Sequence, residues 1–302
     1  MILLALVTTI AHAETVRIIV PFTAGGSTDL AARAMESTLA QALPQYHFEV
    51  EYKLGAGGSV AANYVAQDKN KETILLVSSL ALLINSLNPD STYNINKDFI
   101  PVVNLGGIPG ALVTSKQSNI TTLQSLLKSK QQLTFGSAGP RTATHIAGEI
   151  LKQRTGLKLV HVPYKGESAA LVGVMSNNID LMFLGASMVQ EYTESNKLQI
   201  LAVTGTHRNS ALPMIPTFAE LGVKGFEVSP NWMVVLANTT ADPVIITQTQ
   251  NALANALKDP EVVKLYNKSG VDIDPKILYT TDKFLQSETT RMKKILDNLD
   301  LK

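Results

Sequence analysis

At Val20-Pro21-Phe22-Thr23-Ala24-Gly25-Gly26-Ser27-Thr28-Asp29 a β-branched run stops at a glycine pair and passes at once into a helix. A strand that ends this way presents unpaired backbone N–H groups at a helix N-terminus, a place that holds anions. The pattern recurs at Gly55-Ala56-Gly57-Gly58-Ser59 and at Gly136-Ser137-Ala138-Gly139-Pro140-Arg141-Thr142. Three such repeats confine the chain to α/β architecture with mostly parallel sheets and mark it as a scaffold for gripping something negatively charged.

Periodicity predicts strands at 16–21, 48–53, 73–78, 133–136, 159–164, 179–183, 199–204 and 233–237. Helices are expected at 29–43, 142–155, 168–176 and 188–195, with Ser27 or Thr28 capping the first. The alternation breaks at Ile108-Pro109-Gly110-Ala111-Leu112-Val113-Thr114-Ser115, which reads as a strand crossing into a second domain ahead of a helix at 122–129. A return crossing is expected at Trp232–Ala237, with helices at 243–257 and 281–299 packing back on the first domain. The resulting division is 14–113 plus 237–302 for one lobe and 114–236 for the other. A cleft between two hinged lobes is a common ligand site.

With 302 residues, 45% of them hydrophobic, the chain can bury substantial cores and suits roughly two domains of about 150 residues. The 26 basic residues balance 25 acidic ones with no basic block, so no nucleic-acid or anionic-membrane footprint exists and a small ligand is expected. There is no cysteine, which removes disulfides, thiolate nucleophiles and Cys-based metal sites together. Met1 to Ala13 carry no charge, run apolar from Ile2 to Leu6 and end on Ala11-His12-Ala13, a small-x-small form that predicts a signal peptide cleaved after Ala13. No basic residue follows Met1, a departure from the usual n-region; the alternative is a buried first strand.

No phosphate-loop motif, G-x-S-x-G elbow or H-E-x-x-H occurs, and Gly55-Ala56-Gly57-Gly58 lacks the third glycine of a dinucleotide fingerprint. His47, His145, His161 and His207 lack metal-ligand spacing, so neither metal nor cofactor is implied. For Gly25, Gly26 and Ser27 a tight βα turn competes with ligand contact through free N–H groups. Asp29 would order that turn, or accept from a ligand hydroxyl or ammonium, since a carboxylate repels an anion. Ser137 and Thr142 add hydroxyl donors to the third turn, and Thr142 is the foremost candidate for a carboxylate contact. His145 reads equally as a buried histidine bonded to a loop carbonyl; Arg141 either clamps a carboxylate or lies in solvent; Trp232 reads as a core or hinge residue.

With these segments in order, the chain resembles the substrate-binding proteins of tripartite tricarboxylate transporters, the Bug-type receptors. The resemblance is carried by Val20-Pro21-Phe22 with Gly25-Gly26-Ser27-Thr28-Asp29, by Gly55-Ala56-Gly57-Gly58, by Phe135-Gly136-Ser137-Ala138-Gly139 with Thr142 and His145, by Val162-Pro163-Tyr164-Lys165-Gly166, by Leu201-Ala202-Val203-Thr204, and by Pro213 with Pro216-Thr217 and Glu220-Leu221-Gly222. It implies a monomeric, two-lobed periplasmic binding protein of the Venus-flytrap, type II-like class, with two hinge-crossing strands. Phe22, Gly25, Gly26, Ser27 and Asp29 would line one jaw with Ser78 at its border; Ser137, Ala138, Thr142 and Ala143 would form the other. The receptor would pinch a small organic carboxylate and deliver it to a permease of large and small subunits, without a cofactor and without enzymatic chemistry.

Against the family's usual pattern, Thr23-Ala24 replace prolines, Arg141 replaces a glycine and Leu184 stands where an aspartate is common. Losing that carboxylate would make the distal pocket more apolar, so a non-amino carboxylate is expected over an amino acid such as aspartate; tighter binding of aspartate than of its deaminated analogue would contradict this. The rival from another class is a hydrolase of a carboxylated substrate, with Ser137 or Ser27 as nucleophile and His145 as base. A receptor feeding a signalling system is a third reading.

Overall fold

The structure, a computed structural model, describes residues 13–297 apart from 71, 187, 190, 191, 193–195, 210, 211, 227–230, 269 and 274–280. The expected signal peptide lies outside these residues save for Ala13, and the expected helix at 188–195 lies largely outside them, with Met188, Val189 and Tyr192 helical.

In chain order the elements are β1 (Glu14–Val20), α1 (Ser27–Ala42), β2 (Tyr46–Tyr52), α2 (Ser59–Ala66), β3 (Ile74–Ser79), α3 (Leu80–Ser86), β4 (Phe99–Ile108), β5 (Gly110–Ser115), α4 (Leu123–Leu127), β6 (Leu133–Ser137), α5 (Ala143–Thr155), β7 (Leu159–Pro163), α6 (Glu167–Met175), β8 (Leu181–Gly185), β9 (Leu198–Val203), β10 (Asn231–Asn238), α7 (Pro243–Ala256), α8 (Pro260–Lys268) and α9 (Thr281–Leu296). They form two five-stranded sheets, ordered β2-β1-β3-β10-β4 and β7-β6-β8-β5-β9. In the first, β2, β1 and β3 run parallel and β10 antiparallel; in the second, β7, β6 and β8 run parallel and β5 antiparallel.

Parallel strands covered by helices on both faces read as continuous apolar runs, and β3 is buried at every residue. Ile74 and Leu76 join one core cluster with Ala61, Val65 and Leu83; Leu75 and Val77 join the other with Ile18, Met35 and Leu253. Burying each such Leu or Ile side chain contributes about 1.5–3 kcal/mol. No helix among the described residues is long and apolar enough to cross a membrane.

The register decides where the two sheets meet. Asn231 at the start of β10 pairs with Ile108 at the end of β4, while Ser78 and Ser79 pair with Val234 and Met233, so β4 ends and β10 begins at the C-terminal edge of β1 and β3. Gly110 pairs with Gly185 and Ala111 with Val203, so β5 begins and β9 ends at the C-terminal edge of β6 and β8. Both crossings therefore join these two edges, and the strand ends that carry the glycine turns meet at the hinge. Ligands of open α/β sheets bind outside such carboxyl ends.

The change of sheet falls at Pro109, so Gly110–Val113 pair in the second sheet, not with 14–108; Asn231–Leu236 pair in the first, not with the 114–236 segment. The apolar runs of β4, β5 and β10 look alike whichever sheet they enter, and only strand pairing assigns them.

Candidate functional site

At the first sheet edge, Gly25 turns the chain at φ +86°, with nothing within 4 Å of where a Cβ would sit, so conformation and not space selects glycine there. Its N–H donates to Asp29 Oδ2 at 2.8 Å. Asp29, 3% exposed, also accepts from the Tyr52 hydroxyl at 2.6 Å and Arg33 Nε at 3.1 Å, and Arg33 Nη2 donates to Tyr52 at 2.6 Å. Burial opposes ionisation of Asp29, but the Gly25 N–H, the Tyr52 hydroxyl and the Arg33 guanidinium together hold its carboxyl below the ordinary value. Asp29 is thus occupied in ordering the turn. Gly26, the N-cap of α1, supplies no side-chain bond, and the N–H groups of Ser27 and Thr28 have no acceptor among the described residues. Phe22 packs half-buried against the core beside them, and Ser78 is fully buried with no partner for its hydroxyl among the described residues.

At the second edge the turn after β6 folds upon itself. Ser137 Oγ accepts from Gly139 N–H and donates to Gly139 O, both at 3.0 Å, and lies 2.6 Å from His161 Nε2. With the hydroxyl proton committed to Gly139 O, His161 Nε2 is the donor. The Ala138 N–H donates to Thr144 Oγ1 at 3.0 Å. Thr142 Oγ1 donates to Gly139 O at 2.7 Å and accepts from His145 N–H at 3.4 Å, so it caps α5. Ala143 and Thr144 keep N–H groups without an acceptor among the described residues. Arg141 stands at φ +60°, a left-handed position that favours glycine; its N–H donates to His145 Nδ1 at 3.0 Å, and its guanidinium has no partner among the described residues.

His145 is a positioning residue beneath this turn. Its ring stacks on His161 at 3.8 Å between centroids, with Phe135 beyond. Burial, then His161, Lys152 and Arg141, push its pKa down to about 4. The neutral ring carries its proton on Nε2, facing Glu149 Oε1 at 3.9 Å, which leaves Nδ1 to accept from Arg141. The folded value lies below the ordinary 6.5, so the fold favours the neutral ring. This part of the stability is full above about 6.5 and is lost as pH falls toward about 4. Denaturant midpoints measured across that window should show a downward slope that His145→Gln flattens.

Most hinge-facing helices lack a side-chain cap, the exception among them being α5, capped by Thr142. Thr122 caps α4 through a reciprocal capping box and Asp242 caps α7 at 2.7 Å, both at the edges away from the hinge. At the hinge-facing edges α1, α2, α3 and α6 have no side-chain cap. Uncapped N-termini keep their donors and the positive end of the helix dipole available to an anion. At the second glycine turn conformation and packing both select the residue: Gly58 stands at φ +95°, and a Cβ there would lie 2.6 Å from Leu82 Cδ1.

Two crossings, facing strand ends and uncapped helix N-termini define a two-lobed solute-binding protein. The model of the tripartite tricarboxylate transporter family receptor matches residues 31–301, and the chain belongs to that family. BugT of Bordetella pertussis is 32% identical over 265 residues, covering 85% of this chain and 81% of BugT. Among solved structures, MatC of Rhodopseudomonas palustris with bound malate is 26% identical with a TM-score of 0.79, covering 93% of this chain and 98% of MatC. Rpa4515 of R. palustris with adipate is also 26% identical, with a TM-score of 0.84 over 94% and 96% of the two chains. The periplasmic binding protein BugD has a TM-score of 0.79 at 26% identity, over 93% and 97%.

Leu184 does not line an open surface. Strand alternation turns it with Met182 into the core against Leu171 and Val174 of α6, at 1% exposure, so it cannot make a distal pocket more apolar. Tyr52, Arg33, Thr144 and His161 escaped the sequence reading. The i,i+4 spacing of Asp29 and Arg33 was a signal for one of them; Tyr52 arrives only through its pairing with Val20. Because its hydroxyl is used within its own turn, Thr142→Ala should lower stability by about 1 kcal/mol in denaturant melts, as loss of a helix cap does.

Proposed function

We propose that this chain captures a small dicarboxylate between its two sheet edges and passes it to a tripartite tricarboxylate-type permease of large and small subunits. The observation that carries this reading is the pair of hinge-facing helix N-termini, α1 and α5, whose N–H groups at Ser27, Thr28, Ala143 and Thr144 have no acceptor among the described residues. One carboxylate bonded from both sides stabilises the closed arrangement by its differential affinity for that state. The Arg141 guanidinium beside α5, without a partner among the described residues, is a further donor at these edges. The malate and adipate held by MatC and Rpa4515 support a dicarboxylate. BugD, described as periplasmic, supports export, with Met1–Ala13 as the cleaved signal peptide. The protein works as a monomer.

A hydrolase would need an accessible nucleophile. Ser137 is fully buried and bonded within its turn, and it is His161, not His145, that lies within hydrogen-bond reach of it. A thermal-shift screen with malate, adipate, their monoacid counterparts and aspartate decides the reading, since a ligand that binds only the native state raises its melting temperature. A shift with dicarboxylates and no product by mass spectrometry is expected; turnover, or no shift with any carboxylate, would overturn it.

A further inference from the structure

The three glycine turns contain two charged residues, Asp29 and Arg141. Asp29 is matched by Arg33 Nε at 3.1 Å, whereas the part-buried Arg141 has no partner for its guanidinium among the described residues. Its backbone is also strained. The non-glycine residues at positive φ among the described residues are Ala56, Arg141, Asn177 and Asn196; asparagine tolerates the left-handed region, and Arg141 at φ +60° is the longest side chain placed there. The turn imposes this conformation whatever residue stands in it, because the Arg141 N–H donates to His145 Nδ1 at 3.0 Å and Thr142 Oγ1 is tied to Gly139 O at 2.7 Å. Glycine would take the same φ without strain, so the feature kept against that strain is the arginine side chain itself.

The side chain starts from the donors of the second jaw. Arg141 lies two residues before Ala143, within about 7.6 Å from Cα to Cα, and its charge contributes to keeping the His145 ring neutral beneath the turn. The N–H groups of Ser27, Thr28, Ala143 and Thr144 supply four donors, and a carboxylate offers about four lone-pair sites. A carboxylate held by both jaws therefore has no acceptor left for a guanidinium. We propose, on the basis of the carboxylate reading above, that Arg141 is the specificity-determining residue of the site: its guanidinium takes the second carboxylate of the ligand in a bidentate pair, so that a dianion is selected over a monoanion. The planar fork of N–H donors matches a carboxylate, and charge-assisted bonds of this kind are roughly twice as strong as neutral ones. Of the nearby cations, Lys152 is paired with Glu149 at 3.5 Å and Lys165 is exposed.

Calorimetric titration of the full chain with adipate and with hexanoate, its monoacid counterpart, tests this. The parent should bind adipate at least about tenfold more tightly than hexanoate. Arg141→Gly should weaken adipate about tenfold to a hundredfold and leave hexanoate within about twofold, so that the two acids bind alike. It should melt no lower than the parent, because the left-handed position loses its Cβ. Arg141→Gln keeps the Cβ and the strain, and should melt with the parent yet lose adipate as the glycine variant does. Arg141→Lys, a charge without a fork, should fall between. Unchanged adipate affinity in Arg141→Gln, equal weakening of the two acids, or a lower melting temperature in both the glycine and glutamine variants overturns the role of Arg141 and leaves carboxylate capture standing. Failure of adipate, hexanoate and malate to bind the parent overturns both.

Discussion

Replacing Asp29 with alanine is expected to weaken carboxylate binding at least about tenfold and to destabilise the chain by about 3 kcal/mol. The substitution removes the acceptor for the Gly25 N–H, the Tyr52 hydroxyl and the Arg33 guanidinium together. Hydrogen bonds to a charged group contribute about 1.5–3 kcal/mol each, and the partners left behind are only partly rescued by solvent. Tyr52→Phe, which removes one of the three, should cost about 1.5 kcal/mol. Binding suffers because Gly25, at φ +86°, keeps its place through that carboxylate, and the free donors of Ser27 and Thr28 follow directly. The pH dependence has a definite sign. The carboxyl titrates below its ordinary 3.8 when folded, so its stabilisation is complete above that value and is lost as pH falls through the folded one. Calorimetric titration with adipate, paired with urea melts, checks both effects; unchanged affinity in Asp29→Ala would show that the α1 turn takes no part.

Glu288→Ala should be the more damaging change to the fold, at about 3–5 kcal/mol, as for one partner removed from a buried pair. Glu288 in α9 is 4% exposed and accepts from Trp232 Nε1 at 2.9 Å and from Arg291 at 2.7 and 2.6 Å. Trp232 is itself buried next to the hinge, edge-on to Phe284, so the indole N–H would be stranded. Glu288→Gln keeps an acceptor for the indole and should cost less. The melting temperature and the tryptophan emission of the two variants read this out: a Glu288→Ala melt within about 2 °C of the parent would mean that Trp232 needs no partner.

Much of the architecture was legible in the chain because its causes are local. Apolar periodicity placed most of the strands within about two residues of where they lie, and Gly25 and Gly58 marked turns that require a left-handed backbone. The order of those fragments was enough for the family. Less of the site was legible. Thr142 looks like a ligand group in sequence, yet its hydroxyl bonds to its own turn, because a hydroxyl satisfies the nearest orphan N–H or carbonyl before it reaches a ligand, whereas the place of Asp29 at a helix start already pointed to its ordering the turn.

By itself the sequence determined the α/β alternation, the three glycine turns and the helix starts beside them, since turn conformation and helix initiation depend on residues within a few positions. Only the tertiary structure decided that the change of sheet falls at Pro109, that Tyr52 and Arg33 lock Asp29 and that Leu184 faces α6. Those facts follow from strand register and from the competition among buried polar groups for partners. A shift of one residue in register reverses every face of a strand, and which donor meets which acceptor is settled only when distant segments pack.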